Sequence, residues 1–406
     1  MKLLHIIASM DPVSGGPCQG IRNSNPDMIN LGVYREVVCL DAPDASFLGM
    51  DNFPVHALGP GKGPWQYSEK LKPWLMANME RFDVVVINGL WLYSSYAGWR
   101  VMKTLKKQRF KQSPNARPFP KVFIMPHGML DPYFQNAPDR KLKAIRNWFY
   151  WKLIENRVVN DADGLLFTCE IEMQLAGTSF SPYRPKKEIN VGYGIINPPV
   201  KTLQMVNAFA KACPGLNGEN YLLFLSRIHE KKGVDLLLQA YAAIFEQTKK
   251  QGIKIPKLVI AGPGLESPYG KKMRLLVSGS PLLKQAVLFP GMLRGDAKWG
   301  AIHGCDCFVL PSHQENFGIA VVEALACSKP VLISNQVNIW MEIQNGSSGI
   351  VENDNLNGTT NLLERWLALT VTQKQQMAAN AVQVFNEHFD VAHASATFHK
   401  TIASIN

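Results

Sequence analysis

Residues 305–326, Cys305-Asp-Cys-Phe-Val-Leu-Pro-Ser-His-Gln-Glu-Asn-Phe-Gly-Ile-Ala-Val-Val-Glu-Ala-Leu-Ala, decide how the rest of this chain is read. The first eight read as a buried strand running straight into a loop, and the apolar spacing of Ile319, Val322 and Ala326 predicts the buried face of a helix. Two carboxylates, Glu315 and Glu323, stand eight positions apart. Glu315 falls at the helix N-terminus beside the amides of Asn316, Phe317 and Gly318, and Glu323 about two turns further in. Free amides and the helix dipole favour anionic, oxygen-rich ligands, and a carboxylate there adds acceptors for sugar hydroxyls. Gly318 lacks the Cβ that would keep a ligand away from the backbone. The combination reads as a sugar-phosphate site. Spacing alone also fits two solvated glutamates on a surface helix. The preceding strand separates the two readings, because doubly wound sheets bind ligands beyond the carboxyl ends of their strands.

Working outward, 406 residues are too many for one ordinary core, so two domains are expected. A content of 46% hydrophobic and 18% charged residues is that of a globular protein. The seven cysteines are scattered without zinc-site or disulfide spacing, which suits a reducing cytosol. The opening Met1-Lys-Leu-Leu-His-Ile-Ile-Ala-Ser is too short for a signal peptide and reads as a first parallel strand. No apolar run is long enough to span a bilayer.

The net charge of +11 is concentrated. Residues 100–157, from Arg100 to Arg157, hold 14 Lys and Arg against three acids, an excess as large as that of the whole chain. Within them Arg140-Lys-Leu-Lys-Ala-Ile-Arg-Asn-Trp-Phe-Tyr-Trp-Lys-Leu mixes bases with aromatics, which suggests a helix lying on an anionic membrane surface. A solvated basic face is the alternative. Nucleic acid, the third partner any basic patch admits, lacks an accompanying motif.

Alternating strand and helix signals run through residue 191, pause at Ile196-Asn-Pro-Pro-Val, and restart at Tyr221. Two successive βα series imply two α/β domains facing across a cleft. Strands are expected near residues 3–9, 36–40, 84–87, 121–125, 164–168, 188–191, 221–225, 257–261, 287–290, 307–310 and 330–334. At strand ends stand Gly15-Gly16, Pro126-His127-Gly128, Arg227 and Lys232, Gly262 and Gly264, and Gly291-Met292. Arg227 and Lys232 could neutralise a diphosphate. His127 could hydrogen-bond a sugar or shuttle a proton. The Gly15-Gly16 loop is not G-x-G-x-x-G, so a dinucleotide reading lacks its fingerprint.

In this order these elements, with Asn88-Gly-Leu-Trp and Phe289-Pro-Gly, resemble the retaining GT-B glycosyltransferases, family 4 in the sequence classification (glycosyl transferases group 1). The resemblance spans most of the chain. It implies a GT-B fold with two Rossmann-like domains: residues 1–197 for the acceptor, 198–385 for the nucleotide-sugar donor, and 386–406 as a helix returning to the first domain. It implies that Arg227 and Lys232 grip the donor diphosphate. Glu315 and the amides of Asn316, Phe317, Gly318 and Ile319 would hold sugar hydroxyls and phosphate, and Glu323 the ribose. Met292, with Gly262 and Gly264, would meet the base; His127 the donor sugar; Gly15 and Gly16 phosphate or acceptor. The family chemistry is metal-independent transfer with retention, with no cofactor, from a UDP- or GDP-sugar. The expected acceptor is lipid-linked or a polysaccharide, as in cell-envelope, lipopolysaccharide or exopolysaccharide assembly, at the cytoplasmic face of a membrane. A sugar-nucleotide epimerase and a non-catalytic nucleotide-sugar binder remain alternatives. Two departures stand out: Asn316 where many relatives have glycine, and Asn197-Pro-Pro in place of the common Asn-Gly turn.

Overall fold

The structure, a computed structural model, describes residues 1–109, 118–137, 140–250 and 254–404. It divides into two units, one of Met1–Gly194 with Val391–Asn406 and the other of Ile195–Asp390. The first is built on β1 (Lys2–Ile6), β2 (Tyr34–Cys39), β3 (Val55–Ala57), β4 (Val84–Asn88), β5 (Lys121–Met125), β6 (Gly164–Phe167) and β7 (Glu188–Asn190). These make one parallel sheet in the order β3-β2-β1-β4-β5-β6-β7. Near-continuous Val, Leu and Ile runs form strands buried on both faces. Leu4, Ile6, Val85 and Ile87 pack on one side. Leu3, Val84, Val86 and Phe123 pack on the other, joined there by Ile402 and Phe398 of the last helix, Val391–Ser404.

The second unit holds β8 (Tyr221–Leu225), β9 (Lys257–Ala261), β10 (Val287–Gly291), β11 (Cys307–Leu310), β12 (Val331–Ser334) and β13 (Gly349–Glu352). This sheet is also parallel, in the order β10-β9-β8-β11-β12-β13. Strand order reverses between β1 and β4 in the first sheet and between β8 and β11 in the second. Such points, where successive connections leave in opposite directions, open a crevice at the carboxyl edge. The edge strands β3 (Val-His-Ala) and β13 (Gly-Ile-Val-Glu) are absent from the sequence reading.

The unit boundaries differ from the expected 197/198 and 385/386. Ile195 donates its N–H to the Phe389 carbonyl, and Asn197 Nδ2 donates to Asp390 Oδ2, which ties residues 195–197 into the second unit. Phe385–Phe389 continues the preceding helix as a π-turn, and the Phe389 ring meets Phe317 edge-on at 5.6 Å. The second boundary therefore falls after Asp390. All seven cysteines are free and buried. Among the described residues no helix is long and apolar enough to cross a membrane.

Candidate functional site

In the second unit, the loops leaving β8 and β11 flank the reversal point. The β8 loop carries Ser226-Arg-Ile-His and a 3-10 turn, Glu230–Lys232. Gly233 closes that turn at φ +66°, where a Cβ would lie 2.1 Å from the Pro311 carbonyl oxygen. Only glycine lets the two loops approach so closely. They are then pinned together: the Lys231 carbonyl accepts from Ser312 Oγ (2.9 Å) and from His313 N–H (2.8 Å). Across this junction the buried Lys232 ammonium forms an ion pair with Glu315 Oε2. Arg227 is exposed at the start of the same loop and meets no charged partner among the described residues.

Glu315 is held from behind as well. Its N–H donates to the Gln336 carbonyl and its own carbonyl accepts from Asn338 N–H, both at 2.9 Å. The helix begins at Ile319 and runs to Ala326, with Gly318 as N-cap in the left-handed region (φ +78°). Val321 and Val322 already donate to the Gly318 carbonyl, whereas the N–H groups of Gly318, Ile319 and Ala320 meet no acceptor among the described residues. Three unpaired amides at a helix N-terminus, with the dipole behind them, favour an anionic ligand. A Cβ on Gly318 would meet Glu315, Val321 and Val337 side chains at 3.3–3.4 Å, and the left-handed cap by itself calls for glycine there. The Phe317 side chain is buried in the core, which leaves its backbone as what it offers.

Glu323 is partly buried within the helix, and Lys298 Nζ lies 2.5 Å from its Oε1. Burial raises the Glu323 pKa; the Lys298 ammonium opposes that rise without cancelling it. Lys298 comes from the helix Gly295–Gly304 and was not foreseen. Gly262 and Gly264 lie in the loop after β9, where added Cβ atoms would stand 1.8 Å from the Ser226 oxygen and 2.5 Å from the Ile228 oxygen. Their smallness lets the β8 loop lie flat on them, a packing demand that the sequence reading assigned to a ligand. Met292 is exposed beyond β10.

In the first unit, Gly15 caps the helix Gly16–Asn30 at φ +88°. His127 follows β5 in a turn where both it (φ +53°) and Gly128 (φ +79°) are left-handed. Glu172 clamps this turn, accepting from Gly128 N–H and, at 2.8 Å, from Thr168 N–H. His127 Nε2 lies 3.1 Å from Asn88 Oδ1, and Asn88 Nδ2 lies 3.2 Å from His5 Nδ1. The Asn88 amide is oriented by the Ile6 and Val86 carbonyls, 3.4 and 3.3 Å from Nδ2, because carbonyls face donors only. His127 therefore carries its proton on Nε2 and leaves Nδ1 as an acceptor; His5 carries its proton on Nε2. Burial pulls the His127 pKa down to about 4 and that of His5 well below its usual value, so both rings are neutral near pH 7.

The basic segment is only partly described: Lys111, Arg117 and Asp139 lie outside the described residues. The helix Lys141–Tyr150 and the π-turn Trp151–Glu155 expose Leu142 (84%), Ile145, Trp148, Phe149 and Leu153 (67%) beside Lys141, Lys143, Arg146 and Lys152. The aromatic run divides. Trp151 is fully buried and stacks on Phe180, and Tyr150 turns in to the Trp65 indole.

Two parallel Rossmann-like sheets, each with its reversal point, have the GT-B fold. The crystal structure of Anabaena HepE in complex with UDP matches over all of both chains, with a TM-score of 0.73 and 18% identity, a likeness of fold. Residues 209–383 match the family described as glycosyl transferases group 1. An uncharacterized glycosyltransferase of Methanocaldococcus jannaschii is 28% identical over 171 residues, 41% of each chain. The D-inositol 3-phosphate glycosyltransferase of Actinosynnema mirum is 25% identical over 260 residues, 61% of this chain and 57% of that one. The chain thus spans about two fifths to three fifths of the length of these relatives.

Proposed function

We propose that this protein is a retaining, metal-independent glycosyltransferase that takes a hexosyl group from a UDP- or GDP-sugar. The observation that carries the reading is the Lys232–Glu315 pair set against the free amides of Gly318, Ile319 and Ala320, at the reversal point of the second sheet. A diphosphate entering there meets the Lys232 ammonium and a helix N-terminus, which offset the charge that grows on the leaving group. Arg227 adds an exposed guanidinium. Freed from Lys232, Glu315 accepts hydroxyls of the transferred sugar, and Glu323 accepts those of the ribose. Met292 offers backbone to the base, and in the first unit His127 leaves Nδ1 as an acceptor. HepE was solved with UDP, which favours testing UDP-sugars first.

The acceptor is proposed to be a lipid-linked glycan or a polysaccharide under assembly, met at the cytoplasmic surface of a membrane. The exposed apolar residues of Lys141–Tyr150 and its basic neighbours are what favour this. Such a helix suits the boundary between headgroups and acyl chains of an anionic leaflet. Titration calorimetry with UDP-, GDP- and ADP-sugars, followed by a transfer assay on envelope-glycan extracts, tests the proposal. Binding of one nucleotide-sugar with acceptor-dependent release of nucleoside diphosphate is the expected result. Donor turnover without acceptor would point to an epimerase, and binding without any turnover to a non-catalytic binder.

A further inference from the structure

Under the helix Gly16–Asn30 the first unit holds a half-open pocket of about 70 Å³, lined among others by His5, Arg35, Ser24, His127, Tyr193 and Ser395. Arg35 is 4% exposed. Its Nη1 donates to the Ile21 carbonyl (2.6 Å) and to Ser24 Oγ (3.1 Å), both neutral. No carboxylate among the described residues pairs with it. The adjacent Glu36 belongs to the opposite face of β2, where His56 and Arg81 hold it. A guanidinium keeps its charge even when buried, and a buried charge without a counter-charge is strongly unfavourable.

Three buried polar atoms of residues lining this cavity have no partner: Arg35 Nε, His5 Nε2 and Ser395 Oγ. The first is a donor by its chemistry. The second is one because Asn88 donates to the other ring nitrogen. The hydroxyl can donate as well. Unpaired groups that can all donate, buried just behind the pocket wall beside one uncompensated positive charge, favour an acceptor-rich anion over a cation.

We propose that this cavity is a binding site for a small oxyanion of phosphate or carboxylate size, anchored by Arg35, His5 and Ser395. The anion is either free or the charged end of a larger molecule. The site is made wholly of first-unit residues; His127 lines it too, but Lys232, Glu315 and Glu323 do not, and the variants below leave all four unchanged.

The test follows thermal unfolding of the full chain at constant ionic strength, with inorganic phosphate, acetate and a sugar monophosphate as probes, and locates selenate in a soaked crystal by its anomalous signal. A saturable rise in Tm is expected, with selenate within hydrogen-bond distance of Arg35 Nε and His5 Nε2. Stabilisation by the free ions alone assigns a free anion; stabilisation by the sugar phosphate as well assigns the end group of a larger ligand. Arg35→Met should raise the half-saturating concentration about tenfold or more, and Ser395→Ala about threefold. Ser395→Ala removes an atom with no protein partner, so it should fold as the parent does. The proposal is overturned if no probe gives a saturable response, if selenate is absent from the cavity, or if both variants respond as the parent does.

Discussion

Lys298 Nζ lies 2.5 Å from Glu323 Oε1, and this pairing works against the burial of a half-hidden carboxylate where the nucleotide ribose is proposed to bind. Burial favours the protonated form of Glu323 and the ammonium opposes it. Lys298→Met removes the opposing charge, so Glu323 takes up its proton at higher pH. Nucleotide affinity should fall about tenfold at pH 7, with the loss deepening as pH drops and recovering as it rises. Calorimetric titrations of UDP and GDP across pH 6 to 8.5 measure this, and an unchanged, pH-flat affinity would assign Lys298 to packing alone.

Glu315→Gln keeps the shape of the loop and both backbone bonds of residue 315 but dissolves the ion pair with Lys232. If Glu315 positions the sugar as its ring becomes positively charged, turnover should drop by about 10²–10³ while donor affinity changes little. Lys232→Met should do the reverse in part, weakening nucleotide-diphosphate binding as well as turnover. Steady-state kinetics beside direct donor titration separate these effects, and equal loss of affinity in both variants would contradict the assigned roles.

Glu155 accepts from Trp91 N–H at 2.7 Å and Ser95 Oγ at 2.8 Å, yet burial pushes its pKa up to about 7. The folded state therefore binds a proton that the unfolded chain releases near pH 4.5. Stability from this group is fully present below that value and is lost as pH rises towards 7. Glu155→Gln abolishes the loss, so the variant should gain on the parent by up to ~3 kcal/mol between pH 5 and pH 7.5. Urea unfolding at the two pH values checks the sign; a difference that stays constant would refute it.

Liposome flotation examines the basic helix. Replacing Lys141, Lys143 and Arg146 by alanine should release the protein from anionic vesicles at low salt, each base contributing about 1 kcal/mol near such a surface. Replacing Leu142 and Phe149 by serine should release it even when the charges remain. Recovery of the parent chain in lipid-free fractions at low salt would remove the membrane from the proposal.

Much of this was legible in the letters because it is local. Apolar runs of four or five residues mark β8, β9 and β11, with Gly262 and Pro311 directly after the last two, so Lys232 and Glu315 stand out by position. Lys298 does not: it is 25 residues from Glu323 in sequence and becomes its partner only when two helices pack. The same holds for His5, which looks like one polar letter in a strand until β4 brings Asn88 beside it. Glycines carry two readings at once: at Gly262, Gly264 and Gly318, read as sites of ligand approach, neighbouring backbone or the left-handed cap already requires a glycine. Trp151 was counted with an interfacial cluster because composition does not tell which side of a helix faces inward.

The first unit takes its last helix from the far end of the chain, where Phe398 and Ile402 close the layer over Leu3 and Met28. On a ribosome the second unit has all its residues while the first still lacks its lid. The amino-terminal sheet, although made earliest, is thus the later of the two to be sealed, and a chain stopped short of Val391 would leave it with an open apolar face for chaperones or proteases to find.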